Sequence, residues 1–324
     1  MAAPFAYMFG GLLFQSGFPL SDLCPLQHIG NGIEPDIFLE YSDQPPVERT
    51  GDLIYRWQGR YKLVLEAHGR DWLLRGDAGI MMLISGCGTR ALCHCPDSST
   101  SPLFLSIMVR RILPRLCALH NRLVLHAASL VGDTGAIVVF GGSGSGKSTL
   151  TTALARSLDW SILADDMPIF RDLSSENAGT IPHACKSLPG VSLWRPSKEA
   201  VGPDDRYCEI IPGYQDKYWC VPPRKGGAEQ APVRAIFCIG LPSTDRAIEW
   251  KQLSGADPMV IAASQMVLFN PASKQEREQG MAQVKSLIET VPTYAISYPR
   301  DFAALPMVAQ TIRNICDTLP HADL

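Results

Sequence analysis

Apolar residues are spaced in one way up to about residue 118 and in another beyond it. In the first part they come in short runs: Ile37-Phe38-Leu39, Leu53 to Trp57, Tyr61 to Ala67, Asp71 to Leu74 and Gly79 to Ile84. The runs are rich in β-branched and aromatic residues and are separated by breaks containing Gly, Pro or Asp, so they predict strands. Asp97 to Pro102 reads as a loop. From Leu103 to His120 the period becomes helical, with Leu105, Met108, Val109, Ile112 and Leu116 on one face and Arg110, Arg111 and Arg115 elsewhere. Pro114 is expected to kink or split that helix, because it lacks an N–H and its ring crowds the preceding turn. A boundary placed there divides the chain into a β-rich N-terminal domain, 1–118, and a second domain, 119–324.

The second domain alternates strand and helix patterns. Leu123 to Val131, the break Gly132 to Gly135 and the run Ala136 to Phe140 have the form of a hairpin, so the last run should pair antiparallel with its predecessor. Ser148 to Leu158 holds no Gly or Pro and predicts a helix; Ser161 to Ala164 predicts a strand ending in Asp165-Asp166. Residues 171–232 are rich in Pro, Gly and charge and suit loops facing a substrate. Val233 to Gly240 and Tyr294 to Tyr298 read as strands, and Asp257 to Phe269, Ser273 to Thr290 and Phe302 to Thr318 as helices. The class expected is α/β with a mixed sheet.

Composition narrows the possibilities. Hydrophobic residues make up 46% and charged residues 19%, enough apolar content for a sizeable core. A net charge of −3 argues against broad nucleic-acid binding. No apolar run approaches the ~20 residues of a membrane span. Arg49 is the first basic residue, so the basic segment of a secretory signal is missing and a cytoplasmic location is expected. The 10 cysteines are scattered with no CxxC pair, and are expected to be reduced, mostly small core residues. Cys93-His94-Cys95 is the densest group, but a zinc site needs about four ligands and no second cluster matches it.

The chemistry concentrates between Gly141 and Asp166. Gly141 to Ser148 reads GGSGSGKS and fits G-x-x-x-x-G-K-[ST] at every defined position. Such a turn aims backbone N–H groups at phosphate oxygens, and the helix that follows adds its positive N-terminal end. Gly141, Gly142, Ser143, Gly144, Ser145, Gly146, Lys147, Ser148 and Thr149 are therefore the expected contacts of ATP. Lys147 would reach the β- and γ-phosphates, and the Ser148 hydroxyl would ligate Mg²⁺. A serine/glycine linker could match the pattern by chance, but the apolar run before it and the helix after it supply the context the motif requires.

Phosphoryl transfer also needs charge screening and a group that positions or deprotonates the nucleophile. Asp165 is expected to be the general base and Asp166 to join the Mg²⁺ shell; the opposite order is open. The plainer reading is that the acidic pair only starts a turn before Pro168. His126 lies in the apolar run before the phosphate-loop strand. A lone His there is usually packed core, but the hairpin could bring it to the carboxylate of the base.

The stretch LHAASLV…AIVVFGGSGSGKSTL…LADD resembles the HPr kinase/phosphorylase family and, more distantly, the phosphate loop of phosphoenolpyruvate carboxykinases. In that family a His precedes the loop and an Asp-Asp pair follows it by about one helix, matching His126, Gly141 to Ser148 and Asp165-Asp166. Weaker similarity continues through Ser192-Leu193-Trp194, Lys217 and Pro222-Pro223. The glycine/arginine signature that follows the Asp pair in the bifunctional enzymes is missing here. The opening FAYMFGGLLFQSGFPLSDL resembles HPr-kinase-like proteins of peptide-biosynthesis clusters, the lasso-peptide kinases in particular. The resemblance implies an HPr-kinase/carboxykinase-like kinase domain using ATP and Mg²⁺, a peptide or small-protein partner with a serine acceptor, and assembly into homo-oligomers. In the lasso-peptide case the acceptor is at or near the C-terminus of a ribosomal precursor.

Lys186, Arg195, Arg206 and Lys217 lie in the loop-rich segment and could neutralise a transferring phosphate or a peptide carboxylate. Most surface cations are only solvated. Lys217, followed by Tyr218-Trp219, is the strongest of the four. Beside a peptide kinase stand an HPr(Ser) kinase-type enzyme or a small-molecule kinase and, further off, a nucleotide-gated module that binds a peptide without chemistry.

Overall fold

A computed structural model describes residues 4–20, 23, 33–58, 61–173, 180–188, 190–221, 228–243 and 247–320. The chain forms two compact units: Met1–Arg122 with Leu268–Glu278, and Leu123–Val267 with Gln279–Leu324.

The first unit is a mixed sheet with helix. Its strands are β1 (Phe5–Phe9), β2 (Leu12–Ser16), β3 (Ile37–Tyr41), β4 (Asp52–Trp57), β5 (Leu63–His68), β6 (Asp71–Gly76), β7 (Met81–Ile84) and β8 (Arg90–His94), in the order β1-β2-β3-β8-β7-β6-β5-β4. The expected strands are present; β1, β2 and β8 were not foreseen. β1 and β2 sit in a nearly unbroken apolar stretch whose only punctuation is Gly10-Gly11, so alternation is hidden. Phe104, Phe18 and Tyr41 form an aromatic cluster with centroids 5.5–6.3 Å apart that seats the helical segment on the sheet. That segment is split, as Pro114 implied: α1 (Pro102–Ile107), a π-helical turn Met108–Ile112, and α2 (Leu113–Leu119). A proline cannot donate to the helical ladder, and a widened turn just before it accommodates the missing bond. Cys93, His94 and Cys95 are buried, and His94 Nδ1 lies 3.0 Å from the Ser42 carbonyl. Among the described residues no group of His, Cys, Asp or Glu is arranged to hold a metal ion. In the returning segment Phe269 packs edge-on against Trp72.

The second unit is a three-layer α/β arrangement. Its strands and helices in chain order begin with β9 (Leu123–Val124), β10 (Ala128–Gly132), β11 (Gly135–Phe140), α3 (Lys147–Leu158), β12 (Ser161–Asp165), β13 (Ile169–Arg171) and β14 (His183–Cys185). Then come β15 (Val191–Trp194), α4 (Arg195–Val201), β16 (Cys208–Ile210), β17 (Lys217–Cys220) and β18 (Gln230–Ile239). The last elements are β19 (Glu249–Gln252), α5 (Asp257–Ser264), α6 (Lys274–Thr290), β20 (Thr293–Ser297) and α7 (Leu305–Asp317).

The main sheet runs β12-β10-β11-β18-β14-β13-β9. The far edge of β18 is shared: β14 pairs with its first residues and β20 with its last, and β19 follows β20. β10 and β11 form the expected antiparallel hairpin, closing at Gly132 and Gly135. β11, β18 and β20 are parallel, so their C-terminal ends come to one edge. β11 is apolar throughout because both its faces are covered. Ile137 and Val139 join α3 and α7 in one core; Ala136, Val138 and Phe140 join α5 and α6 in the other. The helix expected over Asp257 to Phe269 ends at Ser264. Among the described residues no helix is long and apolar enough to cross a membrane.

The segment expected to be loops, 171–232, contains a small sheet, β15-β17-β16. Its strands are only three or four residues long, too short for alternation to show. Here the expectation of reduced cysteines is corrected. Cys208 and Cys220 stand opposite each other on β16 and β17 and are joined as a disulfide. Seven other described cysteines are free. Two cysteines brought face to face by strand register need no CxxC spacing. The bridge closes a separation of 12 residues, so Cys208→Ser should lower stability by about 3 kcal/mol in denaturant titration without reductant. A change of a few tenths would show that the bridge is not formed.

Candidate active site

The phosphate loop leaves the C-terminal end of β11 and enters α3. Gly146 caps that helix with φ 96°, a left-handed conformation that favours glycine. Gly141 is demanded by packing: a Cβ there would come within 2.3 Å of the buried Ser145 hydroxyl. The loop is closed on itself by Ser145 N–H donating to the Gly142 carbonyl at 3.1 Å. Lys147 is buried, and its ammonium donates to the carbonyls of Gly141 at 2.8 Å and Gly142 at 3.3 Å. Burial lowers its pKa; the charges of Asp166 and Asp165 oppose that, and Lys217 adds to it. Thr149 hydroxyl donates to Ser197 of α4 at 2.9 Å, tying the phosphate helix to the small sheet's helix.

Asp165 ends β12 beside the loop. The Ser148 hydroxyl donates to its Oδ1 at 2.9 Å, and the backbone N–H of Ser192 on β15 donates to its Oδ2 at 2.8 Å. The carboxyl is 2% exposed. Burial, and next the charge of Asp166, push its pKa up to about 6 against the opposing hydrogen bonds.

Asp166 departs from the strand. Its φ is 106°, unusual for a residue with a Cβ, and its N–H is held by the Ala127 carbonyl at 3.0 Å. Ordinary alternation would send neighbouring side chains to opposite faces of the sheet. The left-handed residue breaks that alternation where the strand ends. Asp166 Oδ1 lies 3.1 Å from Nε2 of His126, both side chains being partly exposed. His126 is not in a strand, as the sequence suggested, but in the short connection between β9 and β10. Its N–H donates to the Gln265 carbonyl at 2.7 Å. Leu125 is tied to Met266 by an isolated bridge, and this anchoring interrupts what looks in sequence like one continuous apolar run.

No family model and no curated protein matches the chain. Among solved structures it is similar to the Hpr(Ser) kinase/phosphatase from Coxiella burnetii, at 13% identity, over 59% of this chain and 95% of that chain, with a TM-score of 0.31. A likeness at that level carries no functional weight.

Of the four expected substrate cations, two are already met by acids. Lys186 pairs with Glu229, and Arg206 with Asp204 at 3.7 Å. Arg195 lies over the Tyr218 ring at 5.9 Å. Lys217 lies over the rings of both Trp194 and Tyr214. Pro222-Pro223 fall outside the described residues. The sequence could not disclose the Ser192 N–H, since a backbone donor leaves no mark in the sequence.

Ser148 Oγ and Asp165 Oδ1 are hard oxygen donors at hydrogen-bonding distance, and so fit Mg²⁺, which binds through one or two protein oxygens plus phosphates rather than a full protein cage. That also explains why no cluster of three acidic or imidazole ligands is needed. The raised pKa of Asp165 couples stability to pH. Between the usual carboxylate range and about 6 the folded chain retains a proton that the unfolded chain has released. Stability therefore falls as pH rises through that window, by on the order of 3 kcal/mol. Asp165→Asn should abolish that slope in denaturant titrations. It should also abolish the larger Mg²⁺–ADP thermal shift that the wild type is expected to show at about pH 7.5 relative to about pH 5. A slope unchanged by the substitution would place the titration elsewhere.

Proposed function

We propose that this chain is an ATP- and Mg²⁺-dependent kinase that phosphorylates a serine hydroxyl of a peptide or small protein. The observation that carries the reading is the division of labour between adjacent carboxylates. Asp165 is buried and bonded to the phosphate-loop Ser148; Asp166 is partly exposed and bonded to His126. This favours the opposite order to that expected from sequence: Asp165 with Ser148 on the metal side, Asp166 as the base. Mg²⁺, when bound, would screen the phosphate charge. Lys147 would hold the β- and γ-phosphates, and the loop amides would hold the chain of oxygens. The acceptor oxygen would attack the γ-phosphorus as its proton passes to Asp166 Oδ. The bond from that phosphorus to the β-bridging oxygen breaks, and ADP leaves. His126 would orient the Asp166 carboxylate as a third group.

The likeness of LHAASLV…LADD to HPr kinases supports a protein or peptide acceptor. The opening segment supports a ribosomal precursor phosphorylated at or near its C-terminus. Incubation with γ-labelled ATP, Mg²⁺ and either a serine-peptide library or a panel of small alcohols tests the reading. Label on peptide is expected. Label confined to a small alcohol would make it a small-molecule kinase, and nucleotide binding without any transfer would make it a binding module.

A further inference from the structure

Lys217 opens β17 directly opposite Trp194 on β15. Its Nζ lies 5.6 Å from the Trp194 ring centroid and 5.3 Å from that of Tyr214, and the two rings meet edge to face at 5.9 Å. Among the described residues no carboxylate lies within 4.0 Å of this ammonium. Neighbouring cations differ: Lys186, Lys198 and Arg206 each pair with an acid. Aromatic faces hold an ammonium through their quadrupole and leave its charge intact. A carboxylate would have fixed the same side chain and cancelled the charge. Trp194 is 50% exposed, so the cage is open to solvent on one side.

The position of this cation gives it a task. Ser192, whose N–H holds Asp165, lies two residues before Trp194 on β15. Residues two apart on a strand share a face, about 7 Å from one another. Ser192, Trp194 and Lys217 thus share one face of the small sheet, and the strand that carries Ser192 and Trp194 also brings a backbone N–H to the buried carboxylate. Lys147 comes to this carboxylate's surroundings from the phosphate loop, and Lys217 from the separate sheet that supplies the Ser192 N–H.

We propose that Lys217 is a second cation on the transferring phosphoryl group, meeting the γ-oxygens that Lys147 approaches from the loop. The inference rests on the site being a phosphotransferase centre. As the bond to the leaving diphosphate lengthens and that to the acceptor oxygen forms, charge spreads over three equatorial oxygens. A caged ammonium there stabilises that charge and transfers no proton.

The test needs no knowledge of the acceptor. Mg²⁺–ADP and a non-hydrolysable Mg²⁺–ATP analogue are titrated calorimetrically into wild type, Lys217→Met and Lys217→Arg. Lys217→Met should weaken the analogue about tenfold and leave ADP within about twofold, because only the analogue has the γ-group. Lys217→Arg should keep most of the wild-type preference. Lys217→Gln serves as the second neutral variant if Met disturbs the ring pair, with melting temperature as the check on folding. An unchanged ratio of analogue to ADP affinity in the neutral variants, whether both weaken or neither does, overturns the assignment and points to an acceptor anion instead. A wild type that binds neither nucleotide removes the phosphotransferase reading as well. If wild type binds and Lys147→Met does not, the loop reading stands and an unchanged ratio counts against Lys217 alone.

Discussion

Asp166→Asn is expected to slow phosphoryl transfer by about 10²–10⁴-fold while leaving Mg²⁺–ADP affinity within about twofold. The amide keeps the size of the side chain and its contact with His126 but cannot take a proton from an acceptor hydroxyl. Asp165→Asn should fail differently, losing the metal-dependent part of nucleotide binding, because that oxygen pairs with Ser148. The backbone offers a second arm. A residue with a Cβ at φ 106° stores on the order of 1 kcal/mol, which Gly would not. Asp166→Gly should therefore melt a few degrees higher than wild type while being at least as inactive as the Asn variant. An Asp166→Asn protein with near wild-type turnover would end the general-base assignment. A Gly variant that melts lower would show that the Asp166 carboxylate contributes more to the fold than its backbone costs.

Lys147→Met is expected to weaken Mg²⁺–ATP binding by about 10²-fold or more, on the strength of charge-assisted contacts to two phosphates. The fold should survive. Burial already disfavours this ammonium, and the Gly141 and Gly142 carbonyls it contacts belong to a loop with access to water. Lys147→Arg should not restore binding, since a planar fork cannot replace a point charge threaded between loop carbonyls. Titration of nucleotide together with a thermal melt decides it. Unchanged affinity in a folded Met variant would mean that the phosphates do not lie on this loop.

Some of this was legible in the residues and some was not, for physical reasons. The phosphate loop, the hairpin that feeds it and the helix after it are written locally: β-branched run, glycine turn, uninterrupted helix formers. Register supplied what spacing could not. The different surroundings of the Asp165 and Asp166 side chains depend on one left-handed φ, and nothing in the letters ADD announces it. Short strands such as β15, β16 and β17 lie below the length at which alternation is detectable, so the segment that holds Ser192 and Lys217 read as loop. Cys208 and Cys220 are paired by strand register, which sequence separation does not encode. That the helix would break near Pro114 was, by contrast, foreseeable from the proline alone; the π-helical form of the break was not.

His126, the phosphate loop, Asp165 and Asp166 come from one uninterrupted stretch, folded on itself by β10 with β11 and β12 with β10, and set against later chain by β11 with β18 and by His126 on Gln265. Lys217 and the Ser192 N–H arrive on a separate small sheet, joined to that stretch at the Ser192–Asp165 hydrogen bond and at Thr149–Ser197. A site divided in this way is modular. The stretch that carries the phosphate loop could be kept as one cassette while the small sheet is lengthened or reshaped, provided that one backbone N–H still reaches the buried carboxylate.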